Sequence, residues 1–265
     1  MRLAPDRFGI PVQSLAGCAV IRLAISLTGI WLAIGSTSGI TAADVSPHHV
    51  RLQAALQRAV RAHQAAGDQA VASDWIRLGD AQLRSGQVDD AIESFEQAIQ
   101  LELRSKPYLW QYGIALFFAN RLDDGRRLFE QHRQVNPNDV ENAAWHFLCV
   151  AKSKSLAEAR RMLLPAPDDA RTPMQEVLER LKGGDDKDIL HAIDAATVDR
   201  PSARFYGQLY LGLIADAEGH RAAASEHLNA AASTSATHYM ADVARLYAER
   251  IAADQGDTAK ANRLD

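Results

Sequence analysis

The chain has 265 residues, 47 % of them hydrophobic, and a formal charge of −4 at pH 7. That is enough apolar material for a substantial core in one elongated domain. The acidic balance, without basic tracts, argues against nucleic acid or an anionic membrane surface as a partner.

Residues 1–43 read as an export segment outside the fold. Arg22 precedes an apolar run, Leu23 to Ile34, of the length of a signal h-region, and Thr41-Ala42-Ala43 offers a cleavage site before Asp44. Three outcomes are open. The chain is cleaved near Ala43; or Leu15-Ala16-Gly17-Cys18, which resembles a bacterial lipobox, is processed and Cys18 is lipidated; or Ala16 to Ile34 is kept as an anchor. In the last case Arg22 costs about 2.5–3.5 kcal/mol at the bilayer centre. All three predict an exported protein, periplasmic or membrane-anchored and facing the periplasm. If Cys18 leaves, Cys149 has no disulfide partner. Its neighbours Phe147, Leu148 and Val150 predict a buried thiol rather than a nucleophile.

Residues 44–71 predict one helix. Ser46-Pro47 supplies a cap followed by proline at the first helical position. Leu52, Leu56, Ala59, Val60 and His63 give an apolar face, and Gly67 ends it. This helix is expected to pack on the unit beginning at Ala72 and close that end of the domain. His48, His49 and His63 have no further ligand at metal-binding spacing.

From Ala72 to Asp139 the sequence runs as two successive 34-residue units, 72–105 and 106–139. Trp75, Leu78, Gly79, Gly86, Ala91, Phe95 and Ala98 of the first match Leu109, Tyr112, Gly113, Asn120, Gly125, Phe129 and His132 of the second. The spacing is helical. Gly79 and Ala91 are expected where two helices cross, with Trp75, Leu78 and Phe95 filling the space between units. Gly86 and Asn120 tolerate the left-handed turn that ends a helix. Asp89-Asp90 and Asp123-Asp124 fall at the start of each second helix, where they are expected to cap free amides rather than catalyse. This pattern resembles the tetratricopeptide repeat (TPR) family, a helix–turn–helix of 34 residues. The resemblance implies an all-α solenoid of stacked antiparallel helix pairs, with N- and C-terminal capping helices, that holds other proteins.

Residues 140–173 keep the register in degenerate form, with Phe147 at the glycine position, Ala159 at the crossing and Leu163 at the bulky site. Pro165 and Pro167 break it, and 174–204 reads as an irregular helical connector, with one short helix after Thr172-Pro173 that stops at Gly183-Gly184 and another after Asp185-Asp186. The pattern returns over 205–238, with Leu211-Gly212, Gly219, Ala224, Leu228 and Ala231 on repeat positions. A last helix, about Thr237 to Asp254, shows Met240, Val243, Leu246, Tyr247 and Ile251 on one face and is expected to cap the stack, followed by a frayed tail within 239–265. This layout is similar to periplasmic TPR proteins of the bacterial new-lipoprotein-I type. That resemblance implies envelope peptidases or cell-wall hydrolases as partners.

No phosphate-binding glycine loop, nucleophile elbow, His-Glu-x-x-His or Cys-x-x-Cys is present, so no enzyme, metal or cofactor is expected. His220, Glu226 and His227 read as solvent-facing. In TPR stacks the first helix of each unit lines a concave wall. Carried over position by position, the resemblance implies protein-binding residues Ile76, Leu83, Arg84, Trp110, Ile114, Phe117, Phe118 and Lys152, the two basic ones at the rim for acidic groups. Trp110, Phe117 and Phe118 are too apolar for a solvated face, each worth about 1.5–3 kcal/mol on burial. Their cover is the N-terminal helix, the helices of 173–197, a second copy in a homodimer, or a partner's segment. The expected function is a non-enzymatic scaffold or adaptor; the alternative is a self-associating structural or anchoring module of the cell envelope.

Overall fold

The computed structural model describes residues 46–261, with side chains as far as Asp254. The export segment and Cys18 lie outside the described residues. Helix α1 (Pro47–Ala66) starts where Ser46 Oγ accepts the His48 N–H at 3.3 Å and ends at Gly67, whose φ is +50°. Its His63 ring meets Trp75 edge-on at 4.1 Å, which docks it on the first repeat.

Four antiparallel pairs follow, with a shorter one inserted. The first two are α2 (Ala72–Arg84) with α3 (Val88–Leu101), and α4 (Trp110–Phe118) with α5 (Leu122–His132). Next come α6 (Val140–Ser153) with α7 (Leu156–Arg161), α8 (Met174–Lys182) with α9 (Asp186–Ala195), and α10 (Arg200–Ala217) with α11 (Arg221–Ala232). Helix α12 (Tyr239–Ala261) is last, and there is no strand among the described residues.

The helices of a pair touch where the spacing predicted. A Cβ on Gly79 would stand 3.0 Å from the Phe95 ring, on Gly113 2.6 Å from the Phe129 ring, and on Gly212 2.7 Å from Leu228. In all three the large partner sits on the second helix, and Phe95, Phe129 and Leu228 are fully enclosed. The turns repeat as well. Gly86, Asn120 and Gly219 have φ of +81°, +59° and +80°. After each, the next residue's N–H reaches five positions back: Gln87 to Gln82, Arg121 to Leu116, and His220 to Ala215, at 2.8–2.9 Å. This is the αL ending of a helix used three times.

Two expectations need correcting. Asp123 and Asp124 do sit in the first turn of α5, but that helix has no side-chain cap. Arg121 and Arg127 take up Asp124, and Arg126 lies 3.5 Å from Asp123. Those arginines, three positions away, take the carboxylates expected on the amides, and Asp89 and Asp90 likewise open α3 without a side-chain cap. Second, the two short helices expected within 174–204 are present but form a regular packed pair. Met174, Val177, Leu178, Leu181, Ile189 and Ile193 are buried, and the α8–α9 pair packs on α6 and α10. The degenerate third unit explains this. With Phe147 where a glycine belongs, α7 stops at Arg161 and leaves Leu163 beyond it, and α8 packs against α6 instead.

The glycine contacts define an experiment. Glycine to alanine inside a helix ordinarily gains about 0.5–1 kcal/mol. At Gly113 the added methyl meets the Phe129 ring, which has nowhere to swing. Overpacking of this kind costs about 1–3 kcal/mol. Gly113→Ala is therefore expected to lower the unfolding free energy by about 1–2 kcal/mol in a urea titration.

Candidate functional site

The first helices α2, α4, α6 and α10 line the inner wall, and α12 runs back along it. Tyr239 at its start meets Trp110 edge-on at 4.8 Å, with Arg84 5.4 Å over its ring. Two turns later Tyr247 stacks on Phe117 at 5.9 Å and lies 5.6 Å from Phe118. Arg250 donates to the Phe118 carbonyl, and the Tyr247 hydroxyl donates to Asp216 Oδ2 at 2.7 Å.

The wall is thus not an open groove along its length. Leu83 and Ile114 are fully enclosed, Phe117 and Phe118 keep 6 % and 3 % exposure, and Ile76 and Trp110 are half-buried. The rim cations are also engaged. Arg84 Nε donates to Asp242 Oδ2 at 2.6 Å, and Lys152 Nζ lies 2.7 Å from Asp216 Oδ2. The cover over Phe117 and Phe118 is α12, neither α1 nor the helices of 173–197. The helix expected to cap the stack does pack on α11, but it continues to Ala261 rather than fraying after Gly256, and its side chains also cover the concavity. The large aromatic faces of α4 demand burial, and the apolar side of α12 supplies it.

One carboxylate holds the start of this helix. The Asp242 side chain is wholly enclosed and receives Arg51 of α1, Arg84 of α2 and Arg245 of α12 itself. His48 Nε2 stands 3.6 Å away, and burial lowers the pKa of that ring. Arg245 also donates to the carbonyls of Ala232, Thr234 and Ala236 at 2.7–3.0 Å, fixing the loop that leads into α12. Nearby Asp80 is pushed up to about 6 by burial, against the pull of Arg84. The sequence pattern did not single out Asp242. Its only sign is an acid set in the otherwise apolar stretch Met240 to Ala244, with Arg245 three residues on.

Past Tyr239 the groove opens into a cavity of about 300 Å³. Trp110, Phe129, Trp145, Tyr206, His238, Tyr239 and Met240 wall it, with Asp139, Glu141 and Asn142 from the start of α6. Arg171, in the loop before α8, binds three carboxylates at once: Asp139 at 2.8 Å, Asp169 at 2.6 Å, and Glu141. The Tyr210 hydroxyl donates to Glu141 Oε2 at 2.9 Å. Burial raises the Glu141 carboxyl to about 7 even so. Of the residues implied as protein-binding, only Trp110 reaches this cavity.

Elsewhere chemistry is sparse. Cys149 is buried and its thiol pKa pushed up by desolvation. No group of three or more His, Cys, Asp or Glu is poised for a metal among the described residues. His220 and Glu226 are exposed, whereas His227 is half-buried with Nδ1 2.8 Å from Gln208 Oε1.

Stacked antiparallel helix pairs, a glycine crossing and a shared turn define an all-α TPR solenoid. A tetratricopeptide repeat family model matches residues 72–104, the α2–α3 pair with its turn. No curated protein matches the chain.

Removing one member of a buried ionic cluster costs about 3–5 kcal/mol. Asp242→Asn, which leaves three guanidiniums facing a neutral amide, is expected to destabilise the fold by that amount in chemical denaturation. Asp80 gives a pH dependence. Its folded pKa lies above the ordinary 3.8, so folding takes up a proton between about 4 and about 6. Stability contributed by that proton is present at low pH and is lost as pH rises through 6. Asp80→Asn is expected to remove this loss, so its stability relative to the parent rises across pH 4–6 in parallel thermal melts.

Proposed function

We propose that the protein is a non-enzymatic scaffold that binds other proteins at the open end of its concave wall, around Trp110. TPR repeats generally mediate protein–protein interaction, and proteins that carry them are generally non-catalytic. The observation that carries the reading is the division of the wall: α12 covers the α4 aromatics Phe117 and Phe118 but leaves Trp110 half-exposed at an aromatic cavity. Arg84 and Lys152, expected at the rim for acidic groups, are each paired with an acid of the chain itself, so the reading centres on Trp110.

Export belongs to the same reading. The apolar run Leu23 to Ile34 and the small residues before Asp44 support a periplasmic or envelope-anchored protein. Its layout, similar to the new-lipoprotein-I type, supports envelope peptidases or cell-wall hydrolases as partners. Self-association is a second reading. It is favoured by Leu101, Leu103 and Tyr108, which stand 57 %, 73 % and 62 % exposed in and beside the 3₁₀ segment (Leu103–Tyr108) between α3 and α4. Light scattering decides it, a concentration-independent dimer supporting it and a monomer rejecting it.

The scaffold reading is tested by affinity capture from native envelope extract. Trp110→Ala is expected to lose the captured protein while the helical circular dichroism spectrum persists. Phe117→Ala, by contrast, is expected to lose about 3–5 kcal/mol of stability, because its ring is core beneath α12. Capture unchanged in Trp110→Ala would place the binding surface elsewhere.

A further inference from the structure

Beside the cavity beyond Tyr239, carboxylates outnumber cations among the described residues. Asp139, Glu141 and Asp169 converge on the single guanidinium of Arg171. Two of those carboxylates, Asp139 and Glu141, also form part of the cavity wall, which includes no lysine or arginine. Most of the remaining wall is aromatic, with two indoles, Trp110 and Trp145, whose faces attract cations more strongly than other rings. Wall residues Trp145 and Asn142, 2 % and 4 % exposed, carry an indole N–H and an amide oxygen with no partner in the protein.

Size narrows the occupant. A helix is about 10–12 Å across with its side chains, and α12 already fills the adjoining groove. A volume near 300 Å³ lies at the low end for small ligand sites, about 300–1,000 Å³. It suits one long side chain and the peptide group that bears it. An apolar side chain would desolvate Asp139 and Glu141 further without returning a charge. A cation returns one.

We propose that this cavity receives the arginine or lysine side chain of a partner protein, its charge held by Asp139 and Glu141 against the Trp110 ring. The assignment rests on the scaffold reading and names the chemistry of its contact. Glu141, raised to about 7, supports it. The groups facing it are Arg171 from the loop before α8, Asp139 at the start of α6, and Tyr206 and Tyr210 on α10. His238, beside the cavity at the head of α12, is lowered by burial and stays neutral as Glu141 ionises. Affinity for a cation therefore rises as pH passes upward through 7.

The full chain is titrated with capped Gly-Arg-Gly, its uncharged citrulline isostere, and capped Gly-Leu-Gly, reading tryptophan emission. The arginine probe is expected to saturate, and the other two to bind at least about tenfold more weakly. Glu141→Gln is expected to weaken the arginine probe about tenfold and to abolish its gain between pH 6 and 8. Trp110→Leu, half-exposed and safer for folding, is expected to weaken it similarly, with circular dichroism checking both variants. Citrulline or leucine binding equal to arginine overturns the assignment, as does arginine binding unchanged in either folded variant. Methylguanidinium binding as tightly as the arginine probe would make a free cation, not a partner's side chain, the occupant, and overturns it too. A captured partner lost in Trp110→Leu but retained in Glu141→Gln sinks the cation assignment and leaves the scaffold standing. Probe binding with no partner captured sinks the scaffold alone.

Discussion

The stack depends on helices that approach more closely than any side chain but hydrogen allows. Gly79, Gly113 and Gly212 each let a large residue of the companion helix lie flat on the backbone, and Phe95, Phe129 and Leu228 fill the gap that results. Dispersion gained over so many short contacts outweighs the helix propensity that three glycines forgo. Phe147 shows the converse. Lacking the close approach, its unit keeps only a six-residue second helix, and α8 takes the vacant flank of α6. The same regular stacking brings Leu83, Ile114, Phe117 and Phe118 onto one inner face, more apolar surface than a solvated wall tolerates.

Helix α12 answers that excess, and Asp242 sets its register. Apolar burial is roughly proportional to area and does not by itself choose between positions one turn apart. A wholly enclosed carboxylate does choose, because any slip strands it, with Arg51, Arg84 and Arg245, in a medium that penalises lone charges. Tyr247 on Asp216 and Arg250 on the Phe118 carbonyl fix the helix further along. Since Arg51 belongs to α1, Arg84 to α2 and Asp242 to α12, one cluster ties the two ends of the described chain together.

Local features were legible in the sequence and long-range ones were not. Thirty-four-residue spacing identified the crossings at Gly79 and Gly113, the left-handed Gly86 and Asn120, and the returning unit at Gly212, because each follows from contacts within one pair. The wall position of Trp110, Phe117 and Phe118 was legible too, as was their need for cover. What covers them was not. Nothing in the period says that α12, more than a hundred residues on, returns to α4, and Asp242 among Met240, Ala241 and Val243 looks like one more exposed acid. Helices α8 and α9 were legible singly, from Thr172-Pro173, Gly183-Gly184 and Asp185-Asp186, but their packing as a pair on α6 and α10 was not, because the pair is shorter than the 34-residue cadence.

The two ionic clusters along the wall are opposite in kind, and the contrast bears on specificity. Around Asp242 guanidiniums outnumber the acid they share, and the cluster is closed by a carboxylate from the chain's own last helix. Around Arg171 the carboxylates outnumber the guanidinium, and no lysine or arginine among the described residues lines the cavity beside them. Tyr239 takes part in both, with Arg84 over its ring and the cavity against it. Apolar burial is therefore spent where α12 lies, and an excess of acids over cations remains beside the cavity. In the proposed contact, such a division would discriminate among partners through electrostatics rather than area, since a misplaced or missing charge is rejected more strongly than a misfit methyl group.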